Sequence, residues 1–146
     1  MKSLICALTL AMTLGGAQYA GARPDAGYTV VVSAANPVAT LTRDQASKLF
    51  LKKAPTWSDG REVAPVDQPE GSAVREAFTK AVLHKSVPAV KSYWQQQIFS
   101  GRGVPPTERP TDDEVLSYVR GNPAAIGYVS SSAAVGAGVR VVQLTD

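Results

Sequence analysis

Residues 111–129 read TDDEVLSYVRGNPAAIGYV. Thr111 and Glu114 stand at capping-box spacing, with Asp112 and Asp113 placed where the positive end of a helix favours acid. Val115, Leu116 and Val119 recur at helical spacing, so this stretch is expected to form a helix with one apolar face. Gly121 fits the position just past a helix end, and Asn122-Pro123 stops the helix. Beyond Ala124, the five residues AIGYV at 125–129 are apolar on both faces and read as a buried strand. A helix feeding directly into a buried strand is an α/β unit.

The same alternation runs outward in both directions. Tyr28 to Ser33 reads as a buried strand, and Asn36-Pro37 as a turn. Thr42 and Gln45 form a second capping-box pair ahead of the apolar positions Ala46, Leu49 and Phe50. Trp57-Ser58-Asp59-Gly60 reads as a turn, with Gly60 suited to a positive φ. Glu62 to Asp67 is a strand whose Pro65 argues for an edge position or an irregular pairing. A helix is expected across Ala73 to Leu83. Another follows the cap Ser86, with its apolar stripe on Val90, Tyr93, Trp94 and Ile98. Gly101 to Pro110 is a Gly/Pro loop with at most a short extended piece, and Val139 to Leu144 is the last strand. This order predicts an α/β fold, a three-layer-like sandwich around a mixed sheet.

At the N-terminus, Lys2 and the apolar run Leu4 to Leu14 have the form of an export signal, with cleavage after Ala20 or Ala22. The expected division is a signal peptide over 1–22 and one domain over 23–146, periplasmic or secreted. The apolar run is too short to span a membrane, and no second run could do so. The only cysteine, Cys6, lies inside the signal, so no disulfide, thiolate chemistry or cysteine metal site is expected in the domain. A formal net charge of +3, one unit lower without Lys2, is too weakly basic and too dispersed for nucleic-acid binding.

Three segments in order, LTRDQASKLFLKKAPTWSDGREVAPV, EGSAVREAFTKAVL and TDDEVLSYVRGNPAAIGYV, resemble the substrate-binding proteins of phosphate ABC transporters. The resemblance implies one lobe of a type 2 periplasmic binding protein. It also implies a phosphate-like inorganic anion as ligand, linked to phosphate uptake, with an ABC transporter or other envelope protein as partner. The family commonly carries Arg-x-x-x-Ser-Gly-Thr at its ligand-binding turn. Aligned on Phe78, the serine is Ser72, the Gly-Thr positions are Ala73 and Val74, and the arginine position is Gln68. The matched segments belong to a single lobe. Half a cleft leaves its ligand wet, so weak binding is implied unless a second copy, in a homodimer, supplies the other wall.

The candidate ligand-binding residues are therefore Gln68, Gly71, Ser72, Ala73 and Arg75. Free amides and the dipole of a first helical turn attract anions, Gly71 permits close approach, and Ser72 can donate its hydroxyl. Arg75 lies in that first turn, where a cation opposes the dipole and a bound anion offsets the cost. A plain structural reading stands beside this one, in which Ser72 is an N-cap, Gly71 serves a turn and Arg75 pairs with Glu70 or with solvent. Thr42 is expected as a cap, Thr40 as a hydroxyl near a hinge, Tyr128 as a packing residue, and Trp57 and Trp94 as core. His84 reads as a surface residue at a helix end. Ser130 to Ser132 lack a nucleophile elbow and a histidine partner, and no dinucleotide or Walker pattern occurs. No cofactor, metal or enzymatic activity is expected. Two readings remain open, a weak oxyanion-binding domain and a ligand-free interaction module of the cell envelope.

Overall fold

The computed structural model describes residues 27–146, and the export signal expected over 1–22 lies outside the described residues. Among the described residues, six strands form one sheet in the order β2-β6-β1-β5-β3-β4. They are β1 (Thr29–Ser33), β2 (Thr40–Thr42), β3 (Ala64–Asp67), β4 (Thr107–Glu108), β5 (Ala125–Val129) and β6 (Val139–Thr145). β1 is antiparallel to both of its neighbours, whereas the pairs β2–β6, β3–β5 and β3–β4 are parallel. The sheet is mixed, as expected, and every strand but β1 ends at the same edge.

Helices start from that edge. α1 (Arg43–Phe50) follows β2, α2 (Ala73–Phe78) follows β3, and α4 (Asp112–Arg120) follows β4, while α3 (Val87–Phe99) follows α2. The caps are those read from the sequence. Thr42 and Gln45 exchange both bonds of a capping box. Ser72 accepts from the Arg75 amide, and Ser86 from the Ala89 amide with proline in the first turn. Thr111 accepts from the Glu114 amide. α2 continues as a π-helical turn over Thr79–Leu83 and stops at His84, which takes a left-handed φ of 52°.

Alternating side chains of the strands fill two cores, giving the three-layer sandwich. On one face Val30, Val32, Ile126 and Tyr128 pack under α1, α2 and α3, with Phe50, Phe78 and Trp94 buried against them. Phe78 stacks on Tyr128 with centroids 4.0 Å apart, and Phe50 meets Phe78 edge-on at 4.7 Å. Burying each such ring contributes about 1.5–3 kcal/mol. Trp57 is also buried, and its indole N–H donates to the Ala124 carbonyl at 2.9 Å. On the other face Val31, Val66 and Val129 pack under Val115, Leu116 and Val119 of α4.

Three expectations need correction, and for Pro65 the irregular pairing is the one found, since β3 is an interior strand. The two-residue β4 reaches only Val66 and Asp67, so Pro65 pairs with Ile126 on one side alone, and the missing N–H costs no ladder bond. Gly121 caps α4 at φ −84°, so its left-handed freedom is not used, although Gly60 does adopt φ +86°. The Glu114 side chain makes no bond back to the Thr111 amide, so that capping box is half formed. Ile98 is 53% exposed, because α3 leaves the core before its last turn.

Candidate functional site

The C-terminal ends of β3 and β5 and the first turns of α2 and α4 meet around one open cleft of about 440 Å³. In α/β sheets with parallel strands, ligands are bound at this kind of edge. Gln68, Ser72 and Ala73 line one side of the cleft, and Thr111, Asp112 and Ser130 line the other.

A polar network joins these walls to the core. Gln68 is buried at 3% exposure. Its Nε2 donates to Asp112 Oδ1 at 2.9 Å and to the Tyr128 carbonyl at 3.1 Å, and its Oε1 accepts from Ser72 Oγ at 3.0 Å. Asp112 also accepts from the Ser130 amide at 3.1 Å and from the Ser130 hydroxyl. Below the cleft, Asp67 accepts from the Tyr128 hydroxyl and from the Gln68 amide.

The candidate residues separate on this geometry. Ser72 and Gln68 sit in the cleft wall with their hydrogen bonds made, and Ala73 lines the opening. Gly71 does not line the cleft, and it stands in the turn ahead of α2 that the Ser72 amide closes on the Pro69 carbonyl. Arg75 turns inward, away from the helix surface, and is 4% exposed. Its Nη1 donates to the Gln68 carbonyl at 2.8 Å, and its guanidinium faces Asp67 at 3.5 Å and Glu108 at 3.8 Å. Arg75 therefore pairs neither with Glu70 nor with solvent, and Glu70 pairs with Lys91 at 3.2 Å instead. Of the amides between Gly71 and Arg75, that of Ser72 is taken by the Pro69 carbonyl and that of Arg75 by Ser72 Oγ. Those of Ala73 and Val74 have no acceptor within the helix.

The electrostatics follow from burial. Desolvation pushes the Asp67 carboxyl above the ordinary carboxylate range, against the opposing pull of Arg75 and the bonds from Tyr128 and Gln68. Burial and the neighbouring Asp67 push the Tyr128 hydroxyl up, so it stays a donor. Burial also raises Asp112. Its bonds from the Ser130 hydroxyl, the Gln68 side chain and the Ser130 amide together outweigh this and hold it below its ordinary value. The charged group on the cleft wall is therefore an acid.

Asp112 and Ser130 are cleft residues that reasoning from sequence does not find. Asp112 reads as a helix-start acid and Ser130 as part of a loop, and they meet because α4 packs back along β5, while the pairing of β5 beside β3 brings both to Gln68. Tyr128 packs as expected and in addition anchors Asp67. Thr40 is exposed on β2, outside the cleft. Among the described residues, no group of three His, Cys, Asp or Glu side chains stands close enough to hold a metal, and no helix is long and apolar enough to cross a membrane.

No protein-family model matches the chain, and no curated protein does. Solved structures do resemble it. An ABC-type phosphate transport receptor from Vibrio cholerae superposes with a TM-score of 0.63 at 20% identity, over 82% of this chain and 47% of its own. PstS from Borrelia burgdorferi gives 0.65 at 12% identity, over 82% and 47%. A Clostridium perfringens chain crystallised with bound phosphate gives 0.63 at 24% identity, over 82% and 46%. The chain thus spans less than half the length of the structures it resembles, and its fold is that of one lobe of a phosphate-type periplasmic binding protein.

Proposed function

We propose that this lobe is an exported solute-binding domain, not an enzyme, that takes phosphate or a similar small oxyanion weakly in the cleft between α2 and α4. One observation carries the reading. The starts of two helices converge on a single cleft, and Ser72 and the amides of Ala73 and Val74 border it. Helix dipoles and free amides favour an anion there. The Clostridium perfringens chain of similar fold holds phosphate in its crystal structure, and this agrees with the reading.

The same geometry sets the strength. Arg75 is neutralised by Asp67 and Glu108 instead of facing the cleft. Asp112 puts a carboxylate on the wall, so a fully ionised anion is repelled, while an oxyanion that keeps a proton can donate it. Gln68 stands where the resemblance places an arginine. Affinity is therefore expected in the millimolar range, with phosphate preferred to sulfate.

Titration calorimetry and amide NMR with phosphate and sulfate test this. Ser72→Ala is expected to abolish the phosphate shifts at Ala73 and Val74. Thr42→Ala removes a comparable cap on α1 and is expected to leave those shifts intact, at a similar stability cost of about 0.5–2 kcal/mol. Absence of saturable shifts at the cleft in millimolar phosphate, for monomer and for any dimer, sinks the reading.

A second reading, a ligand-free interaction module of the cell envelope, is favoured by the buried Arg75 and by the surface at the end of α3. There Phe99 is 97% exposed, and Ile98 and Val104 are 53% and 61% exposed. It is tested by recovery of one specific envelope protein that Phe99→Ser no longer captures.

A further inference from the structure

A second cavity, of about 740 Å³, lies where the π-helical end of α2 meets the start of α3. Glu76, Lys80, His84 and Lys85 form its rim, and Val87 and Pro88 give it an apolar wall. The oxyanion cleft uses none of these residues.

Its charges differ from those of the cleft. Arg75 is paired with both Asp67 and Glu108 beneath the cleft. Among the described residues, none of Glu76, Lys80, His84 and Lys85 takes part in an ion pair. Glu70, on the same rim, is neutralised by Lys91. The unpaired formal charges are then two lysines against one glutamate, and the rim is net positive by one.

The backbone here is also unusual. The π-helical turn is a rare, widened form found often at functional sites. The amides of His84 and Lys85 both reach back to the Thr79 carbonyl. His84 then takes a left-handed φ that few non-glycine residues adopt. This local geometry carries Lys80, His84 and Lys85 to one rim.

We infer that this cavity is a binding site for an organic anion with an apolar body, its anionic head set among Lys80, His84 and Lys85 and its body against Val87 and Pro88. The volume exceeds what a bare inorganic oxyanion fills and lies within the range of small-molecule sites. The aliphatic stems of the lysines extend the apolar wall while their ammonium groups stay at the rim. The inference does not depend on the oxyanion cleft.

The probes are butyl phosphate and inorganic phosphate, titrated into the isotope-labelled protein and followed by amide NMR. Butyl phosphate is expected to give saturable shifts at Lys80, His84, Lys85 and Val87. It is expected to bind there about tenfold more tightly than inorganic phosphate, which corresponds to burial of one to two methylene groups. The double variant Lys80→Gln/Lys85→Gln, whose exposed positions leave the core untouched, is expected to weaken that binding about tenfold. Ser72→Ala is expected to leave it unchanged, so failure at the cleft and failure here read out separately. Lack of saturable shifts at the cavity, equal affinity for the two anions, or indifference to the lysine substitutions overturns the inference.

Discussion

Gln68 and Asp112 are joined across the cleft, with the Gln68 Nε2 donating to Asp112 Oδ1 at 2.9 Å. The bond ties the end of β3 to the first residue of α4, elements separated by α2 and α3 in the chain. The same amide group also holds Ser72 and the Tyr128 carbonyl. Gln68 is thus a fixed part of the cleft wall.

Replacing Gln68 by leucine keeps much of the volume and removes all of these bonds. Asp112, Ser72 and the Tyr128 carbonyl each lose a partner in a half-buried or buried setting. The expected cost is about 1–3 kcal/mol. Urea denaturation should show a lower midpoint at an unchanged slope, and a midpoint equal to that of the parent protein contradicts the role assigned to the side chain.

Asp67 and Asp112 are expected to titrate on opposite sides of the ordinary carboxylate value, about 3.9 in the unfolded chain. Burial raises Asp67. Burial also raises Asp112, but the bonds from Ser130 and Gln68 outweigh it and hold the group low. For Asp112 the folded value is depressed, so its stabilisation is complete above the unfolded value and is lost as pH falls through the folded one. For Asp67 the folded value is raised, so the folded state binds the proton more tightly. Stability then declines as pH rises from the unfolded value to the raised one. Carboxyl carbon NMR should place the Asp67 midpoint above that of Asp112, and Asp67→Asn should flatten the decline in stability over that window. The reverse order of midpoints contradicts the network described here.

Much of the fold can be read locally. The caps at Thr42, Ser72, Ser86 and Thr111 are decided within three residues of sequence, and the buried strands β1 and β5 by runs of apolar residues. β2 escapes such a reading because three residues carry no periodicity, and it exists only through its parallel pairing with Gln143 to Thr145. The cleft is half legible. Ser72 and Ala73 announce themselves as a helix start. Asp112 and Ser130 belong to the same site only because β3 and β5 lie side by side, and the inward turn of Arg75 depends on Asp67 and Glu108 from two other segments. Long-range pairing of this kind leaves no mark on the spacing of residues along the chain.

Gly127 shows how closely α4 is set on the sheet. A Cβ built there stands 2.6 Å from Val66 Cγ1 and 3.0 Å from Val115 Cγ1, shorter than side chains tolerate. Gly127 lies in the middle of β5, buried between β1 and β3, so neither strand can move aside without breaking ladder bonds. Gly127→Ala must therefore push α4 outward or force Val66 and Val115 off their rotamers, at an expected cost of about 1–3 kcal/mol. Shortening Val66 to alanine alone is also destabilising, because it opens a void beneath α4. In the double variant the new methyl enters the space left by Val66, so the combined loss should be smaller than the sum of the single losses. That coupling, measured by denaturant unfolding of all four proteins, isolates the contact itself. Strictly additive losses would mean that the new methyl does not meet Val66, and the close contact between β5 and β3 beneath α4 would be contradicted.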